Sequence, residues 1–492
     1  MTVRNFKGIK TLLFDNLNIR QTIFKNTFWS SISLVVSKLL GLVLLIYVAR
    51  ILGAVEYGKF TFASSFTSLF VVFYSLGLPT IIIREFAREG AKKEDFYSII
   101  SLKVLLMLAT SVLVLLSSFF ITPEVGVQKI ILLLALYSLI GGFSTLFYAF
   151  FQARQKMEYQ AGPEILEALL MFGLGLCVLF KFPSVENLSY AYLFSALTTL
   201  IFVLIFFHFK IFPLKVKWDS FVWKKFLVMS WPLALTGLFG TIYGYIDSVM
   251  MGYLNMLAET GWYNAAYKII IVSLIPMGLI SGNFFPALSK FSKESKEKFQ
   301  KIWNYQLEIM ILLALPLMVG GMVLASKIIY YFYSLDFAPS VLAFQILILT
   351  AGITFLQRPL LDATIVLGQQ AKIFWITLSG ALVNISLNLL LIPKYSLYGA
   401  AGATVVTNCF ILLIAIVFIK KFTFVHFPIL RIFLTFLASA LSVGLMYFVV
   451  TQLLIYNINI FLLVIAGAAI YSMVFLAIRK YVLLRCFQQI YA

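Results

Sequence analysis

The strongest constraint in this 492-residue sequence is a series of long apolar runs, each about as long as a bilayer crossing requires. About 20 apolar residues at about 1.5 Å per residue cover the hydrocarbon core, and about fourteen such runs lie between charged breaks. The predicted spans are 25–49, 60–83, 97–121, 129–151, 164–181, 187–208, 226–251, 260–285, 303–325, 340–363, 373–392, 398–419, 430–451 and 459–478. The sequence therefore predicts an all-α, polytopic membrane protein.

Composition supports the same fold class. The chain is 62% hydrophobic and 12% charged, whereas soluble domains are roughly half apolar and a quarter charged. This apolar content excludes intrinsic disorder. A net charge of +19 is also typical of nucleic-acid binding, but no basic, aromatic-interleaved soluble domain is present to hold a nucleic acid. We therefore expect the lipid bilayer, and no nucleic acid, as a partner.

The distribution of basic residues among the loops predicts an orientation. With the N-terminus in the cytoplasm, roughly thirty basic residues fall inside and about six outside, as the positive-inside rule requires. Misassigning one helix would invert every later loop, so the alternation supports an even number of spans. We expect a multi-pass protein of the cell inner (cytoplasmic) membrane with its N-terminus and C-terminus in the cytoplasm.

Residue types that usually carry catalysis or bind metals are few and scattered. The three cysteines and two histidines show no metal-ligand spacing and no disulfide framework. The loops are too short for a soluble catalytic domain, and no GxxxxGK[ST] phosphate-binding loop occurs. We expect a transporter rather than an enzyme, without a cofactor or metal. Its energy would come from an ion gradient, the membrane potential or the substrate gradient.

A weak internal repeat organises the spans. "EYGKFTFAS" (56–64) opens the second span and "ETGWYNAAYK" (259–268) opens the eighth, while "FFQARQK" (150–156) and "VLGQQAK" (366–372) end the fourth and tenth. Both copies start on the same side, so the two six-helix repeats are parallel. The predicted domains are a cytoplasmic segment (1–24), a six-helix bundle (25–208), a cytoplasmic linker (209–225), a second bundle (226–419), two additional helices (430–478) and a cytoplasmic tail (479–492).

Charges inside the spans are the candidate functional residues, because each costs about 2.5–3.5 kcal/mol at the bilayer centre. Lys38 lies near the middle of the first span, too far from either interface to be fully rescued by snorkelling. Ser30, Ser33, Ser37 and Gly41 flank it with helical spacing, which suits close helix contact. Lys38 either pairs with carbonyls or a carboxylate between packed helices, or lines a cavity and contacts an anion, and we favour the cavity.

Other charges have both structural and functional interpretations. Lys268 and Asp247 can pair with each other or serve substrate or ion binding. Arg358 and Asp362 stand four residues apart, a spacing that suits an intrahelical pair, and are also coupling or gating candidates. Arg50 can anchor the end of the first span or bind substrate. Glu308, Glu164 and Glu167 are expected to be solvated helix ends.

Several stretches resemble the polysaccharide flippases of the multidrug/oligosaccharidyl-lipid/polysaccharide exporter superfamily. They are "SKLLGLVLLIYVARILGAVEYGKFTFASSF" (37–66), "GLPTIIIREFAR" (77–88), "YIDSVMMGYLNMLAETGWYNAAYKI" (245–269) and "NISLNLLLIPKYSLYGAAGATVVT" (384–407). The resemblance implies a V-shaped pair of bundles that moves polyprenyl-diphosphate-linked oligosaccharide between leaflets. Lys38, Lys268 and Arg50 would contact this substrate. We also expect a monomer that works beside the polysaccharide polymerase machinery.

The sequence departs from one branch of that superfamily. Lipid II flippases carry basic residues at the positions of Lys38 and Arg50, but also an Arg-Asp pair where this chain has Leu44 and Leu45. The departure favours a polysaccharide-repeat substrate over lipid II.

The sequence disfavours three rival functions. A cation-coupled multidrug exporter of the same superfamily would rely on buried carboxylates, whereas here the central charge is basic. A membrane enzyme that polymerises or ligates glycan is disfavoured by the short loops. A scaffold without transport is disfavoured by the charges placed inside the spans.

Overall fold

The computed structural model describes residues 11–88, 92–456 and 458–479, and all the regular structure within them is helical. The helices are α1 (Ile19–Leu69), α2 (Val71–Ser75), α3 (Leu78–Phe86), α4 (Lys93–Ile121), α5 (Val125–Ala153), α6 (Met157–Lys181), α7 (Val185–Lys210), α8 (Ser220–Tyr253), α9 (Leu257–Ser273), α10 (Ile275–Glu294), α11 (Lys296–Phe332), α12 (Pro339–Val366), α13 (Gln370–Phe422), α14 (Ile429–Leu454) and α15 (Ile460–Ile478). A 3₁₀ turn, Leu335–Phe337, precedes α12.

The predicted all-α membrane fold is confirmed. In the described residues, twelve helices are long and apolar enough to cross a membrane. Two of these are about twice the length of a span, since α1 has 51 residues and α13 has 53. Each is bent at a residue with positive φ, Gly53 (81°) in α1 and Ser396 (52°) in α13. Both bends fall in predicted turns between spans, so the helices account for about fourteen spans.

Helix starts are fixed by short polar side chains, as their sequence types predict. Asn18, Ser184, Asp219, Ser295 and Asn459 each accept a hydrogen bond from a backbone N–H in the first turn of the helix that follows. The bond from the Val222 N–H lowers the pKa of the exposed Asp219 carboxyl, with help from Lys217. This cap marks the end of the extended segment that leads into α8.

The second predicted span is not one continuous helix. It breaks at Phe70 and again at Leu76–Gly77, where both residues have positive φ. The second break leaves the last carbonyls of α2 without helical partners. The Lys103 ammonium of α4, 1% exposed, donates to the Tyr74 carbonyl oxygen at 2.8 Å. A buried cation therefore satisfies the backbone where the helix stops inside the membrane.

The repeat is visible in the helix breaks. Gly58 and Gly261 are matched residues of the two repeats. When the two repeats are aligned on this pair, the break after α1 and the break after α9 fall within one residue of each other. At the other matched pair, α5 and α12 end in the same cap, with Gln155 and Gly368 in the left-handed region. Both helices end within the quoted motifs, and the shared cap places Gln155 opposite Gly368.

The chain forms two compact units, Met1–Gly261 and Trp262–Ala492. In the first unit, a cluster of aromatic rings is formed by Phe96, Phe147, Phe150, Phe207 and Phe212. Phe96 stacks on Phe207, and most of the other ring pairs meet edge to face. Helix α8 belongs to this unit because it packs against α1, α3 and α4. In the second unit, α11 packs against α12, α14 and α15, and Leu324, Val443 and Met446 lie at its centre.

Two glycines allow backbones to meet inside the first unit. A Cβ atom built on Gly58 would lie 1.7 Å from the Leu257 carbonyl oxygen, and one on Gly261 would lie 2.1 Å from the Ala54 carbonyl oxygen. These neighbours are backbone atoms and cannot rotate away. The two residues equated by the repeat are therefore the contact points of α1 and the start of α9.

We predict that Gly58→Ala lowers the thermal midpoint of the detergent-purified protein, because the methyl group forces the backbones apart at a cost of about 1–3 kcal/mol. Gly41→Ala is the matched control, since a Cβ there has no atom within 4 Å and alanine is the better helix former. A midpoint for Gly58→Ala as high as that for Gly41→Ala would contradict the close contact.

Candidate functional site

Lys38 lies on an open face of α1. Its side chain is exposed, and it forms no hydrogen bond or ion pair with any residue in the part of the chain that the structure describes. Ser30 is also exposed, and no atom lies within 4 Å of a Cβ on Gly41. Ser33 is buried, as the predicted close helix contact requires, whereas Ser30 and Gly41 leave space beside Lys38. The ammonium group is presented with room for a bulky ligand.

Arg50 and Leu44 lie on different sides of the same helix. Arg50 is exposed, one turn before the bend at Gly53. Leu44 is fully buried and packs against α6, where its methyl groups would lie 2.7–2.9 Å from a Cβ on Gly175. Where lipid II flippases are expected to carry a charge, this chain has a tightly packed apolar contact. A charge at this position would be buried among apolar atoms.

Lys268 and Asp247 belong to different compact units. Asp247 is buried near the end of α8 in the first unit, with 6% of its surface exposed, and Lys268 is half-buried on α9 in the second. Both remain candidates for substrate or ion binding.

Arg358 and Asp362 form an ion pair within α12. The Arg358 Nε lies 3.0 Å from Asp362 Oδ1, and it also donates to Ser281 Oγ at 2.7 Å. The other carboxylate oxygen, Oδ2, accepts from Ser281 Oγ at 2.5 Å and from Gln306 Nε2 at 2.7 Å. Asp362 is fully buried, whereas the Arg358 side chain is 38% exposed. These contacts join α10, α11 and α12. They hold the Nε edge of the Arg358 guanidinium and leave the rest of the group accessible.

The three glutamates expected at solvated helix ends are instead engaged inside the units. Glu308 on α11 is bound by Arg431 of α14, with Arg431 Nη2 2.9 Å from Oε2. Glu164 accepts a hydrogen bond from Gln160 at 2.7 Å. Glu167 interacts with the Tyr137 hydroxyl. Each partner lies on another helix or one turn away, and all three glutamates are partly exposed.

Two buried lysines escaped the sequence analysis. Lys25, fully buried, donates to Asn16 Oδ1 at 2.6 Å and pairs with Glu158 Oε2 at 2.8 Å. This pair ties the start of α1 to the start of α6. Lys103, described above, could have been noticed as a lysine several residues inside a predicted span. Nothing in the sequence pattern marks Lys25, which resembles an ordinary basic residue at a cytoplasmic helix end.

Comparison with sequence families gives a match over more than half of the chain. Residues 23–292 match the model of a family described as "Polysaccharide biosynthesis protein". The capsular polysaccharide biosynthesis protein CapF of Staphylococcus aureus is 22% identical over 81% of this chain and 99% of its own length. The probable flippase AglR of Haloferax volcanii is 25% identical over 48% of this chain and 51% of its own.

Solved structures share the fold. The lipid II flippase MurJ in an inward closed conformation superposes with a TM-score of 0.74 at 18% identity, over 92% of this chain and 99% of that one. An inward-facing multidrug resistance MATE transporter superposes with a TM-score of 0.65 at 17% identity, over 78% and 94%. At these identities the similarity shows the fold alone.

We predict that Arg358→Met destabilises the protein by about 3 kcal/mol, because it leaves the fully buried Asp362 carboxylate without its cation. The control is Lys301→Met, which removes a pair of the same spacing between side chains that are 70% and 83% exposed, where the expected change is about 0.5 kcal/mol or less. Thermal midpoints in detergent measure both. Equal midpoints for the two variants would show that the buried pair contributes no more than the exposed one.

Proposed function

Because the chain belongs to the polysaccharide biosynthesis protein family, we propose that it is a flippase for a polyprenyl-diphosphate-linked oligosaccharide. It is a multi-pass membrane protein. In the proposal, it carries the repeat unit of a surface polysaccharide from the inner to the outer leaflet of the cytoplasmic membrane. Both termini face the cytoplasm, and no bond is made or broken.

The proposal rests on Lys38, which is exposed and has no polar partner among the described residues. Moving a diphosphate through hydrocarbon is prohibitive unless fixed cations replace its hydration. A lysine ammonium binds phosphate as a flexible point charge, without the fixed fork of arginine, so it can hold a diphosphate that changes position during transport. The open space around Gly41 and Ser30 leaves room for the diphosphate group beside the lysine.

The remaining intramembrane charges have proposed roles in the same cycle. Lys268 and Arg50 are each proposed to contact the substrate anion. Asp247, Arg358 and Asp362 would couple transport to an ion gradient or the membrane potential, or gate it. The Arg358 side chain is 38% exposed and is held at Nε by the buried Asp362 carboxylate. Its outer nitrogens could therefore change partners during transport while the inner end of the guanidinium stays in place.

The proposed substrate is a polysaccharide repeat unit rather than lipid II. The tight packing of Leu44 against Gly175 supports this choice, because it leaves no place for the charged pair of the lipid II branch. The polysaccharide polymerase machinery would take the delivered unit, and a single chain would suffice for transport.

The multidrug exporter is the weaker alternative. Its fold is shared, but fold similarity alone does not identify a substrate. An exporter of organic cations needs an accessible carboxylate. Asp362 is fully buried and paired with Arg358, and Glu164 is an acidic side chain that borders an open cleft, so the choice between the two functions rests on the cation of α1. The accessible charge at the middle of α1 is a cation, which attracts phosphate and repels cationic drugs.

We predict that Lys38→Ala slows flipping roughly tenfold or more, because a charge-assisted contact with phosphate contributes about 1.5–3 kcal/mol. The measurement is flipping of a fluorescent polyprenyl-diphosphate oligosaccharide in proteoliposomes. Lys38→Arg should retain part of the rate. The matched control is Lys181→Ala, which removes an exposed lysine at the end of α6 and should leave the rate unchanged. Full activity of Lys38→Ala, with normal folding, would falsify the assigned role.

A further inference from the structure

A polar cleft lies inside the first unit, and Lys38 is not among the residues that border it. It measures about 490 Å³ and is bordered by the segment around the α2–α3 break, the second half of α5 and the start of α6. We call it the tyrosine cleft, and define it by Tyr74, Tyr137, Tyr148, Gln152, Gln160 and Glu164. Its volume falls within the range of small-molecule sites, about 300–1,000 Å³.

The side chains of the tyrosine cleft are held in place by one another. Gln152 Nε2 donates to Gln160 Oε1 at 2.8 Å, and Gln160 Nε2 donates to Glu164 Oε1 at 2.7 Å. The Tyr74 hydroxyl lies 2.9 Å from Ser138 Oγ. A Cβ on Gly142 would lie 2.1 Å from the Tyr74 ring, so only glycine lets that ring lie flat against α5. The cleft is thus a built surface.

One polar group in the cleft has no partner. Tyr148 is 7% exposed, and its buried hydroxyl makes no hydrogen bond to any described residue. Leaving a buried hydroxyl unpaired costs about 1–3 kcal/mol, and nearly all such groups in folded proteins are satisfied. The hydroxyl lies beside a cleft whose other walls are amides, hydroxyls and a carboxylate. A ligand with its own hydroxyl groups would complete it.

The chemistry of the walls indicates a neutral, polyhydroxylated ligand. Sugar hydroxyls both donate and accept, which matches amide, phenol and carboxylate groups, and the C–H faces of sugar rings pack on aromatic rings. Within the described residues no lysine or arginine borders the cleft, and Glu164 and Glu167 would repel a diphosphate. The diphosphate therefore has no place here.

We infer that the tyrosine cleft binds sugar residues of the transported lipid-linked oligosaccharide. This inference rests on the proposed function and adds a second contact surface to it. Lys38 recognises the diphosphate common to many such lipids, and the cleft recognises the sugars that distinguish one from another.

The test compares two probes in nanodiscs. One is the lipid-linked oligosaccharide that accumulates in the native host when the gene is deleted, and the other is polyprenyl diphosphate without sugar. Tyr148→Phe should weaken binding of the first probe roughly three- to tenfold, the value of one hydrogen bond, and leave the second unchanged. Because it removes an unpaired buried hydroxyl, the ligand-free variant should be at least as heat-stable as the unmodified protein.

A second variant fills the cleft without touching its polar groups. Gly141 borders the cleft, and a Cβ there has no atom within 4 Å, so Gly141→Leu should abolish the preference for the glycosylated probe. Tyr97→Phe is the matched control, since its hydroxyl bonds the Pro213 carbonyl oxygen outside the cleft; it should alter neither affinity.

The outcomes separate the two proposals. If Tyr148→Phe and Gly141→Leu weaken both probes equally, or neither, the cleft is not a sugar site. If they change only the sodium or proton dependence of flipping, the cleft is a cation site and the inference is overturned. If the unmodified protein binds neither probe, the proposed function itself fails. Lys38→Ala should weaken both probes alike, which Tyr148→Phe should not.

Discussion

The requirement on which the rest of this structure depends is that backbone N–H and C=O groups inside the bilayer must be hydrogen-bonded by the protein. Helices meet it along most of the described chain. Where a helix stops at the membrane interior, another group takes over: the Lys103 ammonium bonds the Tyr74 carbonyl oxygen after α2. The ends of α5, α8 and α12 use left-handed caps at Gln155, Asn255 and Gly368 instead. Departures from helix are thus confined to places where partners exist.

Charged side chains inside the bilayer also need partners. Lys25 with Glu158 and Arg431 with Glu308 join helices far apart in sequence, and desolvated pairs of this kind are strongly destabilised when one partner is lost. With 38 basic and 19 acidic side chains, not every cation can find an acid. Most of the surplus is expected in loops, where water and lipid phosphates surround it. Lys38 differs because it lies in the middle of an apolar helix and has no polar partner among the residues that the structure describes. A charge there is costly unless a ligand or water reaches it.

Local patterns predicted the spans and their turns well, since a run of 20 apolar residues has few alternatives to a membrane helix. The bends at Gly53 and Ser396 fall where turns were expected, and the four-residue spacing of Arg358 and Asp362 gives an ion pair. Contacts between distant residues were not predictable. Glu308 finds Arg431 more than a hundred residues away, and the walls of the tyrosine cleft come from three separate segments. The position of Lys38 could be read from sequence, but its open surroundings could not.

A carrier for a lipid-linked oligosaccharide faces two unlike chemistries in one molecule, a doubly charged diphosphate and a neutral set of hydroxyls. A single mixed site would place carboxylates beside phosphate or cations beside sugar, and each would weaken the other. In this chain the accessible lysine lies on α1, while the cleft with Gln160 and Glu164 contains no cation among its described walls. Two modest contacts also suit transport better than one strong one, because the cargo must be released on the far side. In the proposed arrangement, Lys38 binds the anion common to these lipids and the tyrosine cleft binds the sugars. Related proteins could then change their sugar specificity by substitutions in the cleft alone.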